Sequence, residues 1–255
     1  YTFQIISYMV DVFRGDAPPG RTFVDVAAYV SLFPQLVAGP IVRYREIAGQ
    51  LVNRSHSWEK VSQGALRFIV GLARKVLIAD AVAPIADAVF GATSPGFAAA
   101  WLGVSAYAIQ IYFDFAAYSD MAVGMGRMLG FTFPENLVCP YHSESITEFW
   151  RRWPMTISRW LRDYLYIPLG GSRRGRRRTL VNLMTVMALG GLWHGAAWSF
   201  LLWGVWHGLW LIIERLAGDR GIVTAGGGRI SGAFARAGTM VIVMVGWVLF
   251  RAESF

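Results

Sequence analysis

From Thr179 to residue 213 the chain is almost continuously apolar, and the run is bounded by Arg173-Arg174-Gly175-Arg176-Arg177-Arg178 before it and Glu214-Arg215 after it. A membrane span takes about 20 residues, so this stretch is too long for one crossing and right for two. Gly190-Gly191 and Gly195 offer the break between them. A helical pair over 179–213 is expected, entered from a basic loop at 172–178 that the positive-inside bias assigns to the cytoplasm. The whole chain agrees: 55% of its residues are hydrophobic, more apolar surface than one soluble core of this length needs. Its Trp and Tyr gather near the ends of apolar stretches, as interfacial belts do. The expectation is an all-α, polytopic transmembrane protein, with residues 1–255 forming a single integral-membrane domain.

A net charge of +8 raises the question of nucleic acid. The basic residues, however, lie between hydrophobic segments and form no soluble basic face with stacking aromatics, so no nucleic-acid partner is expected. Cys139 is the one cysteine, which rules out an intrachain disulfide and a cysteine-based metal site. The chain opens at Tyr1 with no charged leader and stops at Glu253-Ser254-Phe255 just after an apolar segment, which reads as a piece lacking both ends.

Elsewhere the apolar runs are less clean. Residues 22 to 42 and 61 to 90 carry two of them, the second interrupted by Arg74-Lys75, which must snorkel, line a cavity or mark a break. Residues 97 to 113 form a short span candidate. Asp114, Asp120 and Arg127 then punctuate the stretch to Leu129, so that part faces protein or water, and as buried charges the three could line a solute path. Residues 214 to 236 read as a second cytoplasmic loop and 237 to 250 as a last span.

Over 145–166 the spacing predicts one amphipathic helix, lying along the membrane surface or plugging the interior. Ser145-Ile146-Thr147-Glu148 has capping-box spacing, and Ile146, Phe149, Trp150, Trp153, Ile157, Trp160, Leu161 and Tyr164 share one face opposite Arg151, Arg152, Arg159 and Arg162. Pro154 falls in its third turn, where it should kink the helix at a cost of about 3 kcal/mol.

Four histidines are candidates for chemistry. His56 lies in a polar loop and His142 near a membrane boundary, whereas His194 and His207 sit in apolar sequence. His194, in Gly190-Gly191-Leu192-Trp193-His194-Gly195, is expected deep in the membrane, toward the outer side; a neutral imidazole there can take an alcohol's proton during acyl transfer, or simply tie helices together. His207 would lie roughly 220° away from it around a continuous helix, and a structural role is favoured. The chain has no Gly-x-Ser-x-Gly elbow, no phosphate-binding Gly-Lys-Ser/Thr loop and no His-Glu-x-x-His helix.

Several blocks in order resemble the membrane-bound O-acyltransferase family, and within it the group that acetylates bacterial exopolysaccharides such as alginate. They are Phe33-Pro34-Gln35-Leu36-Val37-Ala38-Gly39-Pro40-Ile41, Tyr112-Phe113-Asp114-Phe115 with Tyr118-Ser119-Asp120-Met121, Glu148-Phe149-Trp150-Arg151-Arg152-Trp153, the run Trp160 to Gly171, and Gly191-Leu192-Trp193-His194-Gly195-Ala196. The resemblance implies a multi-helix fold pierced by a funnel or tunnel, with the family's catalytic histidine matching His194. It implies that Trp150, Arg152, Trp153, Asp163 and Trp193 shape the substrate path. It further implies a bacterial inner-membrane, multi-pass protein, surrounded by lipid, that passes an acyl group from acetyl-CoA or another activated carrier to a periplasmic acyltransferase subunit and a polysaccharide acceptor. Neither a tightly bound cofactor nor a metal is implied. Transfer of D-alanyl or acyl groups to another envelope polymer, an inactive paralogue, and a transporter or scaffold are the alternatives. Relatives in this group carry a second histidine directly after the Arg-Arg-Trp, a place held here by Pro154, which has no acid, base or donor to offer.

Overall fold

In a computed structural model, residues 1–35, 39–219 and 229–252 are described, and among them every regular element is helical. The chain divides into two compact units.

The first unit comprises Tyr1–Val82, Ile109–Leu137 and Met155–Trp160. It contains α1 (Thr2–Arg14), α2 (Phe23–Val30), α3 (Tyr44–Val52) and α4 (Trp58–Arg74), and the later part of α6 (Phe97–Met128). Its core gathers Tyr29, Val42, Tyr44 and Ile47 with Val123, Phe131 and Phe133, and the buried Tyr29 hydroxyl is satisfied by donating to the Val42 carbonyl at 3.0 Å. α4 and α6 touch through glycines: a Cβ on Gly64 would stand 2.6 Å from the Gly124 carbonyl oxygen, and one on Gly124 would stand 2.6 Å from that of Gly64. Small residues let two backbones approach this closely.

Across the same contact run the charges that interrupt the apolar sequence. Arg67 donates to Asp120 at 2.8 Å and to Glu135 at 2.7 Å, and Arg74 also binds Asp120. Lys75 reaches Asp114 and Asp80, both at 2.7 Å. The Arg67 guanidinium holds the Glu135 carboxyl below the usual carboxylate range. Arg74-Lys75 marks a break of a particular kind, a π-helical turn over Lys75–Ala79 that leads into α5 (Asp80–Phe90). Of the three charges expected to be buried, only Asp120 is largely so, its side chain 17% exposed; that of Asp114 is half exposed and Arg127 is exposed. The span candidate at 97–113 and the charged stretch after it are one helix, α6, which runs to Met128.

The single helix expected over 145–166 is three pieces: α7 (Ile146–Arg152), α8 (Met155–Leu161) and a π-helical turn over Arg162–Tyr166. The residue before a proline avoids helical geometry, and Trp153 is extended, with φ −128° and ψ 137°. Pro154 therefore separates two helices and kinks none. The free amides that open α8 are taken by Asn136, whose carbonyl accepts Met155 N–H at 2.7 Å and whose side chain accepts Thr156 N–H at 3.2 Å. The apolar face is protein interior, with Ile146, Phe149, Trp153, Ile157 and Trp160 all buried.

The second unit comprises Ala83–Ala108, Val138–Pro154 and the chain from Leu161 on. Its frame is a hairpin of α9 (Arg176–His194) and α10 (Trp198–Asp219), followed by α11 (Arg229–Arg251). α9 runs straight through Gly190-Gly191, and the turn comes at Gly195. Gly191 and Gly204 serve as contact surfaces instead: a Cβ at Gly191 would stand 3.2 Å from the Gly204 Cα, and one at Gly204 would stand 3.3 Å from the Ala188 Cα. The basic segment is partly helical, since Arg176, Arg177 and Arg178 form the first turn of α9, and residues 172–178 are all exposed. Glu214 of α10 caps α7, accepting the Ile146 and Thr147 amides and the Thr147 hydroxyl. Among the described residues, two helices are long and apolar enough to cross a membrane, α10 over Trp198–Gly218 and α11 over Gly232–Arg251. Of the loop expected over 214–236, both ends are helical and residues 220–228 lie outside the described ones.

Candidate active site

His194 is the last residue of α9 and is exposed. Four aromatic rings lie around it: Trp193 at 4.7 Å between centroids, Phe250 at 5.1 Å, Trp203 at 5.2 Å and Phe200 at 6.1 Å. Trp203 and Phe250 meet it nearly edge to face, at 89° and 83°. Phe200 and Trp203 lie on α10 at helical spacing, and Phe250 is on α11, so the hairpin and the last helix together fix the imidazole. Gly195 lets Phe200 lie this close, because a Cβ there would stand 2.5 Å from its ring.

Trp203 joins this box of rings to a second, buried one. His207, four residues on along α10, has no exposed surface. Its ring lies 5.3 Å from Trp203 and 5.3 Å from Trp150, and stacks on Phe149 at 6.2 Å with 7° between the planes. The stack continues from Phe149 to Trp153 at 6.0 Å and from Trp153 to Tyr141 at 6.2 Å. Trp247 closes the side at 5.4 Å from Trp153 and 6.2 Å from Trp203.

The structure thus brings Trp150, Trp153 and Trp193 into one aromatic cluster with His194. Arg152 and Asp163 are engaged otherwise: Arg152 donates to Glu148 at 2.7 Å, and Asp163 accepts from Arg162 at 2.7 Å. Phe200, Trp203, Trp247 and Phe250 were not among the sequence candidates. Their signal was the spacing of Phe200, Trp203 and His207 along one helix face, which marks a shared surface but not what it faces. Among the described residues, no group of three His, Cys, Asp or Glu side chains comes together to hold a metal.

The sequence profile of the membrane-bound O-acyltransferase family matches residues 21–220, and the chain belongs to that family. It is a membrane protein whose regular elements are all helical among the described residues. Among its relatives, the probable alginate O-acetylase AlgI of Azotobacter vinelandii is 52% identical over 255 residues, covering all of this chain and 50% of the relative. The protein of the same name from Pseudomonas putida is 50% identical over 254 residues, covering 51% of its length. A peptidoglycan O-acetyltransferase of Helicobacter pylori is 44% identical over 197 residues, covering 76% of this chain and 37% of the relative. The chain spans about half the length of the alginate O-acetylases it matches.

Proposed function

We propose that the protein is a multi-pass enzyme of the bacterial inner membrane that relays an acetyl group for O-acetylation of an exopolysaccharide such as alginate. The observation that carries this reading is the placement of His194: an exposed imidazole among four aromatic rings, at the end of α9 in a chain about half identical throughout to proteins named alginate O-acetylases. A neutral imidazole so placed takes the proton from an attacking hydroxyl as the new ester C–O bond forms. It then returns that proton to the leaving group as the bond to the donor breaks. The donor is acetyl-CoA or another activated acyl carrier arriving from the cytoplasm, with no tightly bound cofactor. The acceptor side is a periplasmic acyltransferase subunit, through which the polysaccharide is modified. The exposed arginines at 172–178 suit the cytoplasmic face.

The test is acetyl ester on secreted polysaccharide from cells carrying the full-length protein and its periplasmic partners. His194→Ala should lower it by on the order of a hundredfold or more while the protein stays in the membrane. Ester unaffected by His194→Ala would refute the enzyme reading and favour a transporter or scaffold. In the same assay, a gain with Pro154→His would measure what the proline costs the native chain.

A further inference from the structure

Four polar atoms in the aromatic cluster are buried with no hydrogen-bond partner among the described residues: Nδ1 and Nε2 of His207, and Nε1 of Trp150 and of Trp203. They belong to three rings in mutual contact, at 5.3, 5.3 and 5.6 Å between centroids. Neighbouring indoles do not behave this way. Trp206 donates to the Ile242 carbonyl at 2.9 Å, and Trp247 donates to the Tyr141 hydroxyl at 3.2 Å. A buried donor or acceptor left unpaired opposes folding, and phenylalanine would fill each of the three positions with a similar ring and no such penalty. Packing therefore does not account for the choice of two indoles and an imidazole here.

The chemistry of the set is specific. With the imidazole neutral, the three side chains offer three donors and one acceptor in apolar surroundings. Such a set suits an oxygen with free lone pairs and little to donate, as in a carbonyl. Trp203 is shared with the His194 box, which ties the set to the reacting imidazole. α11 presses Gly246 against the other side, where a Cβ would stand 2.7 Å from His207 Nε2, so that face admits no larger residue without displacing the imidazole.

We infer that Trp150, Trp203 and His207 form a buried binding site for the carbonyl oxygen of the acyl group that His194 transfers. The inference rests on the acyltransferase reading. Donors fixed in an apolar site are strong because nothing must reorganise when the oxygen arrives, and they strengthen as it gains negative charge during attack.

The test uses the full-length protein with its periplasmic partners and reads two quantities, ester per amount of folded protein and melting temperature in detergent. His207→Phe keeps the stacked ring and removes both unpaired nitrogens. Its melting temperature should hold or rise, while ester falls roughly tenfold or more. His207→Gln, which restores a donor and an acceptor, should recover part of the ester. Ester within about twofold of the native value in a folded His207→Phe protein would overturn the site, even with His194→Ala inactive. If His194→Ala is also fully active, the acyltransferase reading falls with it. Should His207→Phe fail to accumulate, Trp150→Phe decides: it removes one donor and keeps an aromatic ring, so unchanged ester per folded protein again overturns the proposal.

Discussion

The α4–α6 contact and the cluster around His207 treat polar atoms in opposite ways. At the α4–α6 contact the charges are paired across the helices and their neighbours: Asp120 serves Arg67 and Arg74, Glu135 serves Arg67, and Asp114 and Asp80 serve Lys75. In the cluster, four polar atoms have none among the described residues. The first arrangement is what charges need if they are to sit in apolar sequence at all, and it describes structure. The second opposes folding, and the carbonyl site proposed above accounts for it.

The largest effect is expected on the paired side. Asp120→Ala leaves Arg74 without its carboxylate and Arg67 with Glu135 alone, around a side chain only 17% exposed. The expected loss is about 2–4 kcal/mol of stability, read as a lower melting temperature, with ester per folded protein unchanged. A large loss of ester per folded protein would place these ion pairs on the reaction path. On the unpaired side, Gly246→Ala pushes a methyl group toward His207 Nε2 and should cost about 1–3 kcal/mol; here ester should fall beyond what the lost fold explains. A smaller effect sharpens the boundary between the two regions. Pro154→Ala should change stability by less than about 1 kcal/mol, because α7 already ends at Trp153 and Asn136 already supplies the amide partners that open α8. A gain of about 3 kcal/mol would mean that the proline interrupts a helix after all.

How far these regions could be read from the sequence follows the range of the interactions. The hairpin of α9 and α10 was legible because apolar length and flanking arginines are properties of a contiguous stretch. Gly190-Gly191 and Gly195 both offer a break in the sequence and only Gly195 makes it, because a glycine that breaks a helix and one that lets another helix approach look alike in one dimension. Pro154 was seen as a kink because the spacing on both sides fitted one helix; the partner that lets two helices start afresh, Asn136, is remote in sequence and silent there. Of the site, His194 stood out as an ionisable group in apolar sequence. The ring of Phe250 and the unpaired nitrogens of His207 did not, since both depend on which faces of α10 and α11 meet.

Arg152 shares features of both regions: it lies between Trp150 and Trp153 of the cluster in sequence, yet is paired in the manner of the α4–α6 charges. Glu148 holds it at 2.7 Å and accepts the Glu144 amide at 2.8 Å. That backbone hydrogen bond, and after it the Arg152 guanidinium, keep the Glu148 carboxyl below its ordinary range. A carboxyl depressed in the folded state contributes stability that is present above the unfolded value, about 4.3, and is lost as pH falls through the folded value. Glu148→Gln should therefore melt lower than the native protein at neutral pH, and the two melting curves should converge in the acid range as the native carboxyl is protonated. If ester per folded protein at neutral pH is unchanged in that variant, Arg152 is a structural cation held by Glu148. If ester falls while melting barely moves, the guanidinium needs its carboxylate for orientation, and Arg152 belongs with the aromatic cluster on the substrate path.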